Sequence, residues 1–139
     1  MKNDSTSRAL LCVVALCVLP GQDIKQEIDK YVNYSPSYMT VKVTAYCPCP
    51  ICCGKHSNGK TAINRNAYQP GVAVDKTIIR LRSRLDVPGY GNWVMADDTG
   101  SRVKGKHIDV RFNTHSEALE WAKNNPKHIR IRVWTKIND

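Results

Sequence analysis

Three aspartates and a knot of cysteines are the residues of this 139-residue chain best suited to chemistry. Asp75 closes the apolar run Val72-Ala73-Val74. Asp98 follows Val94-Met95-Ala96-Asp97 and opens Asp-Thr-Gly, and Asp109 lies inside Ile108-Asp109-Val110. In an alternating strand, an aspartate between Ile and Val faces away from both. With Ile108 and Val110 in a core, Asp109 therefore points into solvent or a cleft. Gly100 permits a tight turn after Asp98, and Thr99 can bond local backbone. Carboxylates that converge on one cleft repel each other, which raises the pKa of at least one. An acid still protonated near neutrality can protonate a glycosidic oxygen. Taken singly, each aspartate reads better as an ordinary turn or cap residue. Asp-Thr-Gly also occurs in aspartic proteases, but those need two copies and this chain has one.

Cys47, Cys49, Cys52 and Cys53 fall in the run CPCPICCG. Four thiols this close can bind Zn²⁺ as a four-sulfur site or form two disulfides in an exporting compartment, with three pairings open. C-x-C-x-x-C-C is not a usual zinc-knuckle spacing, and one short segment rarely encloses a metal alone. Disulfides are thus the expectation and zinc the alternative; no other cofactor is called for. A Cys52–Cys53 bond is geometrically poor, so the pairs would join Cys47 or Cys49 to each of them. His56, nearby, reads as a surface loop residue, and Cys12 and Cys17 belong to the N-terminal segment.

The elements that must position these residues read mostly as strands. Val41, Val43 and Ala45 alternate with Lys42, Thr44 and Tyr46, a period of two. Val72–Val74, the apolar stretch Ile78–Leu81, Asn92–Ala96, Ile108–Phe112 and the alternating Ile129–Trp134 supply the others. Gly59, Pro70-Gly71, Pro88-Gly89, Gly91, Gly100 and Gly105 punctuate them as turns. One helix stands out in the C-terminal half. Thr114 and Glu117 form a capping box, Ala118, Leu119, Trp121 and Ala122 follow at helical spacing, and Asn124-Asn125-Pro126 ends it. Short, evenly spaced strands with one helix argue for a small closed barrel, which leaves no exposed sheet edge.

The N-terminus predicts export. Lys2 and Arg8 precede an apolar run, Ala9–Leu19, that stops at Pro20-Gly21 and suits a signal h-region better than a membrane span. Residues 1–21 are read as a signal peptide or N-terminal anchor, the latter a membrane tether. Residues 22–38 read as a linker and 39–139 as one domain, expected to be monomeric. A net charge of +9 asks for an anionic partner. Its Lys and Arg recur at strand-like spacing, as in Lys76, Arg80, Arg82 and Arg84, which describes a solvated sheet face. Without a nucleic-acid-binding motif, and with an export signal, nucleic acid is not the expected partner.

The segments VTAYCPCPICCG, GVAVD and MADDTGSRVKGKHIDVRF, followed by a helix and a last strand, together resemble the three-aspartate or 3D domain. That domain occurs in bacterial wall-lytic proteins and in the catalytic part of membrane-bound lytic transglycosylase A. The resemblance runs from about Met39 to Trp134. Its most specific stretch leads from Asp98-Thr99-Gly100 through Lys104-Gly105 to Ile108-Asp109-Val110. It implies a six-stranded double-psi β-barrel and a secreted, muralytic protein acting on peptidoglycan glycan strands. Asp109 would be the acid/base that cleaves the β-1,4 bond between N-acetylmuramic acid and N-acetylglucosamine. Asp98 and Asp75 would raise its pKa, orient it and stabilise oxocarbenium-like charge, while Thr99, Gly100, Lys104 and Gly105 would line the sugar groove. No metal is implied in the reaction. Related barrels also bind wall polysaccharide without cutting it. Two stretches depart from the family pattern: Asp75–Arg82 lacks its Pro and its Pro-Leu-Gly turn, and Thr61–Asn64 replaces Thr-Ala-Ser-Gly.

Overall fold

The period-two segments fold as strands in a computed structural model that describes residues 24–137. The export segment lies outside the described residues. Contacts divide the chain into two units, Pro36–Thr135 and a terminal unit made of the residues on either side of it. In the terminal unit, α1 (Ile24–Asn33) is an amphipathic helix that leaves Ile24, Ile28 and Tyr31 exposed. The Ile137 N–H donates to the Asn33 carbonyl at 2.9 Å. Among the described residues no helix is long and apolar enough to cross a membrane.

The larger unit is a closed six-stranded barrel in the order β1-β5-β2-β4-β3-β6. Its strands are β1 (Tyr34–Tyr46, entering from the terminal unit), β2 (Val72–Val74), β3 (Arg84–Val87), β4 (Gly91–Asp98), β5 (His107–Arg111) and β6 (His128–Lys136). β1 with β5 and β2 with β4 pair in parallel, whereas β2 with β5 and β3 with both β4 and β6 are antiparallel. The two parallel pairs are the crossed connections of the double-psi barrel. Alternate residues point inward: Val41, Val43, Val72, Val74, Leu85, Val87, Ala96, Ile108, Val110, Ile131 and Val133 form the core. Each of the Val, Leu and Ile side chains contributes about 1.5–3 kcal/mol when fully buried.

The third strand lies later than the sequence pattern suggested. Ile78–Leu81 is not a strand. The Asp75 carbonyl accepts from both the Ile78 and Ile79 N–H groups at 2.9 Å, which curls the segment into a turn. Only Ile79 is buried, and Ile78 is 44% exposed. The true strand is Arg84-Leu85-Asp86-Val87, whose period-two pattern is short and runs into Pro88-Gly89. β1 likewise begins before Met39, inside the segment read as a linker.

The C-terminal-half helix is α3 (His115–Asn124). Its capping box is complete: Thr114 accepts from the Glu117 N–H, and Glu117 accepts from the Thr114 N–H at 2.9 Å. Such a cap contributes about 1 kcal/mol. Ala118 and Trp121 are its inward residues. The Trp121 indole donates to the Gly89 carbonyl at 2.6 Å, while Leu119 stays exposed. A four-residue helix, α2 (Pro50–Cys53), and a 3-10 turn (Gly54–His56) form the loop after β1.

Candidate active site

Strand β2 lies between β5 and β4, and Ala73 is the residue that links them. It pairs with Asp109 of β5 on one side and Asp98 of β4 on the other. The three side chains therefore share one face, with the methyl group of Ala73 between two carboxyls. Strand spacing of about 4.8 Å puts the two aspartate Cα atoms roughly 9–10 Å apart, with side-chain room between them.

The pairing also decides which of Asp97 and Asp98 faces the groove. Val72 pairs with Ala96 but Ala73 pairs with Asp98, so β4 advances two residues while β2 advances one. This bulge re-aims the strand. Without it Asp98 would share the core face of Ala96; with it Asp98 joins Ala73 and Asp109. Asp97 turns to a buried network. Arg111 Nη1 and Nη2 grip both of its oxygens at 3.0 and 2.7 Å, and Arg65 adds a third contact at 2.6 Å. A Cβ on Gly71 would collide with this Arg111–Asp97 fork, so that position requires glycine.

Asp109 projects from mid-β5, and its Oδ1 accepts from the Thr44 hydroxyl at 2.8 Å. Thr44 is its register partner on β1 and lies 2.9 Å from His107 Nε2. Burial, with the charge of Asp98 adding to it, lifts the Asp109 carboxyl from 3.8 to about 6; the Thr44 hydrogen bond opposes the rise. Asp98 is held from three sides. Its Oδ2 accepts from the Tyr46 hydroxyl at 2.7 Å, and its Oδ1 from the N–H groups of Ala62 and Thr99, both at 2.9 Å. Arg111 donates to the same Tyr46 oxygen at 3.1 Å, so the Asp97 network also braces Asp98. Burial pushes the Tyr46 phenol well above its usual range, which keeps it a hydrogen-bond donor.

Asp75, just past β2, fastens a loop. Its Oδ2 accepts from the Gly105 N–H at 2.8 Å and its Oδ1 from the Thr77 N–H and hydroxyl, and these bonds lower its carboxyl to about 2. The lift on Asp109 thus arises from burial and Asp98, while Asp75 anchors the turn at Gly105, where φ is +65°. Asp75, Asp98 and Asp109 line one open groove of about 1050 Å³, together with Thr99, Gly100 and Lys104. Gly105 contributes through its bond to Asp75. Thr44, Tyr46, Ala73 and Arg111 lie inside the segments that carry the resemblance, but no role was legible for them there; their strand register is what brings them to the site.

The two departures from the family pattern are accommodated differently. Asn64 takes a left-handed conformation at φ +63°, which asparagine tolerates. The loop it shapes still delivers the Ala62 N–H to Asp98. Arg82, the last residue of the Asp75–Arg82 stretch, is held at φ +74°, a strained conformation for a long side chain.

Cys47, Cys49, Cys52 and Cys53 are unbonded to one another in this structure. The sulfurs of Cys47, Cys49 and Cys52 are gathered around a common centre with His115. Cys53 turns away and donates to the Cys47 carbonyl at 3.3 Å, and burial pushes its thiol up to about 11. The loop that carries them walls the groove through Pro48, Ile51, Cys52 and Cys53. His56 is exposed, as expected, and also lines the groove.

Comparison with known proteins gives a family match and related chains. The model of the family described as "3D domain" matches residues 71–132. The "Putative cell wall shaping protein YabE" of Bacillus subtilis (strain 168) is 34% identical over 111 residues, 80% of this chain and 26% of that protein. The "Cell wall-binding protein YocH" of the same organism is 41% identical over 71 residues, 51% of this chain and 23% of that protein. This chain therefore spans about a quarter of the length of either relative.

Proposed function

Since this chain carries a 3D domain over residues 71–132, we propose that it works at the bacterial cell wall as a lytic transglycosylase on peptidoglycan glycan strands. The observation that carries the reading is Asp109: a carboxyl in a groove, its pKa lifted to about 6, with one oxygen tied to Thr44. A group poised near the working pH suits both halves of acid/base catalysis. Protonated Asp109 gives its proton to the glycosidic oxygen as the bond to C1 of N-acetylmuramic acid breaks. The resulting carboxylate takes the proton of that sugar's own 6-hydroxyl, whose oxygen closes on C1 as a 1,6-anhydro ring. Asp109 ends protonated again, and water is not consumed. Asp98, immobilised by Tyr46, Ala62 and Thr99, supplies fixed negative charge toward the oxocarbenium-like centre. The loop from Thr99 to Gly105, anchored by Asp75, lines the sugar path, and export to the wall follows from the N-terminal segment.

A second reading, a wall-binding module without catalysis, draws on the basic groove rim of Lys76, Arg102 and Lys104 and on the wall-binding name of one relative. Digestion of purified peptidoglycan by the protein and by Asp109→Asn, with products read by mass spectrometry, separates the two. Anhydro-muropeptides from the parent alone support the transglycosylase. Reducing-ended products lost in the variant mean a hydrolase on the same site. Protein that sediments with the wall but releases no product leaves the binding module.

A further inference from the structure

We propose that Cys47, Cys49, Cys52 and His115 form a closed zinc site that ties the groove wall to helix α3. Three Sγ atoms and the imidazole Nδ1 all lie within 4.8 Å of one another. Cys47 Sγ is 2.9 Å from Cys49 Sγ and 3.6 Å from Cys52 Sγ; His115 Nδ1 is 3.3 Å from Cys52 Sγ and 3.9 Å from Cys47 Sγ. A tetrahedral ion with bonds of about 2.3 Å to sulfur and 2.0–2.1 Å to nitrogen needs donor separations of roughly 3.5–3.8 Å. The cluster meets that with shifts below about 1 Å, and Cys₃His is an established structural zinc set.

Two further features fit. His115 is the first residue of α3, and the Thr114–Glu117 capping box fixes its backbone. Three thiolates on Zn²⁺ leave one net negative charge, which a helix N-terminus favours. The loop is held by little burial: α2 and the 3-10 turn bury none of their residues, Ile51 is 77% exposed, and Cys53 alone of them packs, in part, against Tyr46, Ala73 and Val103. A metal bridge to α3 adds a second tie for this wall of the groove. Binding turns three thiols into thiolates, so up to three protons leave per zinc. With four protein ligands the site has no open position and is structural. It is independent of the glycan chemistry proposed above.

The geometry selects three of the four clustered cysteines, and that makes it testable. The 139-residue chain, prepared under reducing conditions and stripped by a chelator, is titrated with Co²⁺ and then Zn²⁺. The expected result is one ion per chain, the visible absorption of a tetrahedral thiolate-rich cobalt site, and zinc protection of Cys47, Cys49 and Cys52 from alkylation. Cys52→Ser and His115→Ala should weaken binding by more than roughly 10-fold. Cys53→Ser should retain full stoichiometry, and His115→Cys should restore a four-ligand site, which separates ligand loss from misfolding. Substoichiometric metal, equal losses in Cys53→Ser and Cys52→Ser, unchanged binding in His115→Ala, or disulfides formed in the presence of zinc would each overturn the proposal.

Discussion

Replacing Asp109 with asparagine is expected to stabilise the protein at neutral pH while removing the proposed acid. The Asp109 carboxyl has a pKa near 6 in the fold against 3.8 as the ordinary value. Between those values the folded state binds the proton more tightly than the unfolded chain, so stability falls as pH rises through the window. Below about pH 3 both states hold the proton and nothing is lost. Above about pH 6 the burial of an ionised carboxylate costs its full amount, about 3 kcal/mol at 1.36 kcal/mol per pH unit. Asparagine keeps the shape, can still accept from Thr44, and cannot ionise. At pH 7.5 the variant should therefore gain about 2–3 kcal/mol, a rise in Tm of roughly 6–12 °C for a domain of this size. The gain should shrink to about 0.5 kcal/mol at pH 4, on its way to zero. Asp75 titrates in both proteins, so the difference between them isolates Asp109. Thermal unfolding of the two proteins from pH 4 to 8 is the assay. An unstabilised variant at pH 7.5, or a gain equally large at pH 4, would refute the burial argument and with it the poised acid.

Two further outcomes follow from single contacts. Thr44→Val removes the hydrogen bond that holds the Asp109 pKa down, so the alkaline limb of the pH profile of the proposed glycan cleavage should move to higher pH; a limb that stays or moves down would show that Thr44 does not tune the acid. Arg82→Gly relieves a left-handed arginine at φ +74° and should stabilise by about 1 kcal/mol, measured by denaturant unfolding, with the glycine's extra unfolded-state freedom offsetting part of the strain released.

The sequence by itself determined the strands that alternate with period two, the capped helix at Thr114, and the three aspartates in or beside strands, because each of these is a local pattern of side chains along the backbone. It misplaced one strand because Ile78–Leu81 is apolar without alternating, and an aspartate bonding its own downstream amides turned that run into a bend. It named Asp98 but held no reason for Asp98 over its neighbour Asp97, since the bulge between β2 and β4 that turns Asp98 into the groove is a property of two strands, not one. The same holds for Ala73 between the two carboxyls, for Tyr46 and Arg111 bracing Asp98, and for Thr44 against Asp109. His115 meets Cys52 across 63 residues of chain, a distance no spacing rule covers. Local pattern thus determined which residues could act. Only strand register and barrel closure decided which of them meet, because both are set by packing between segments remote in sequence.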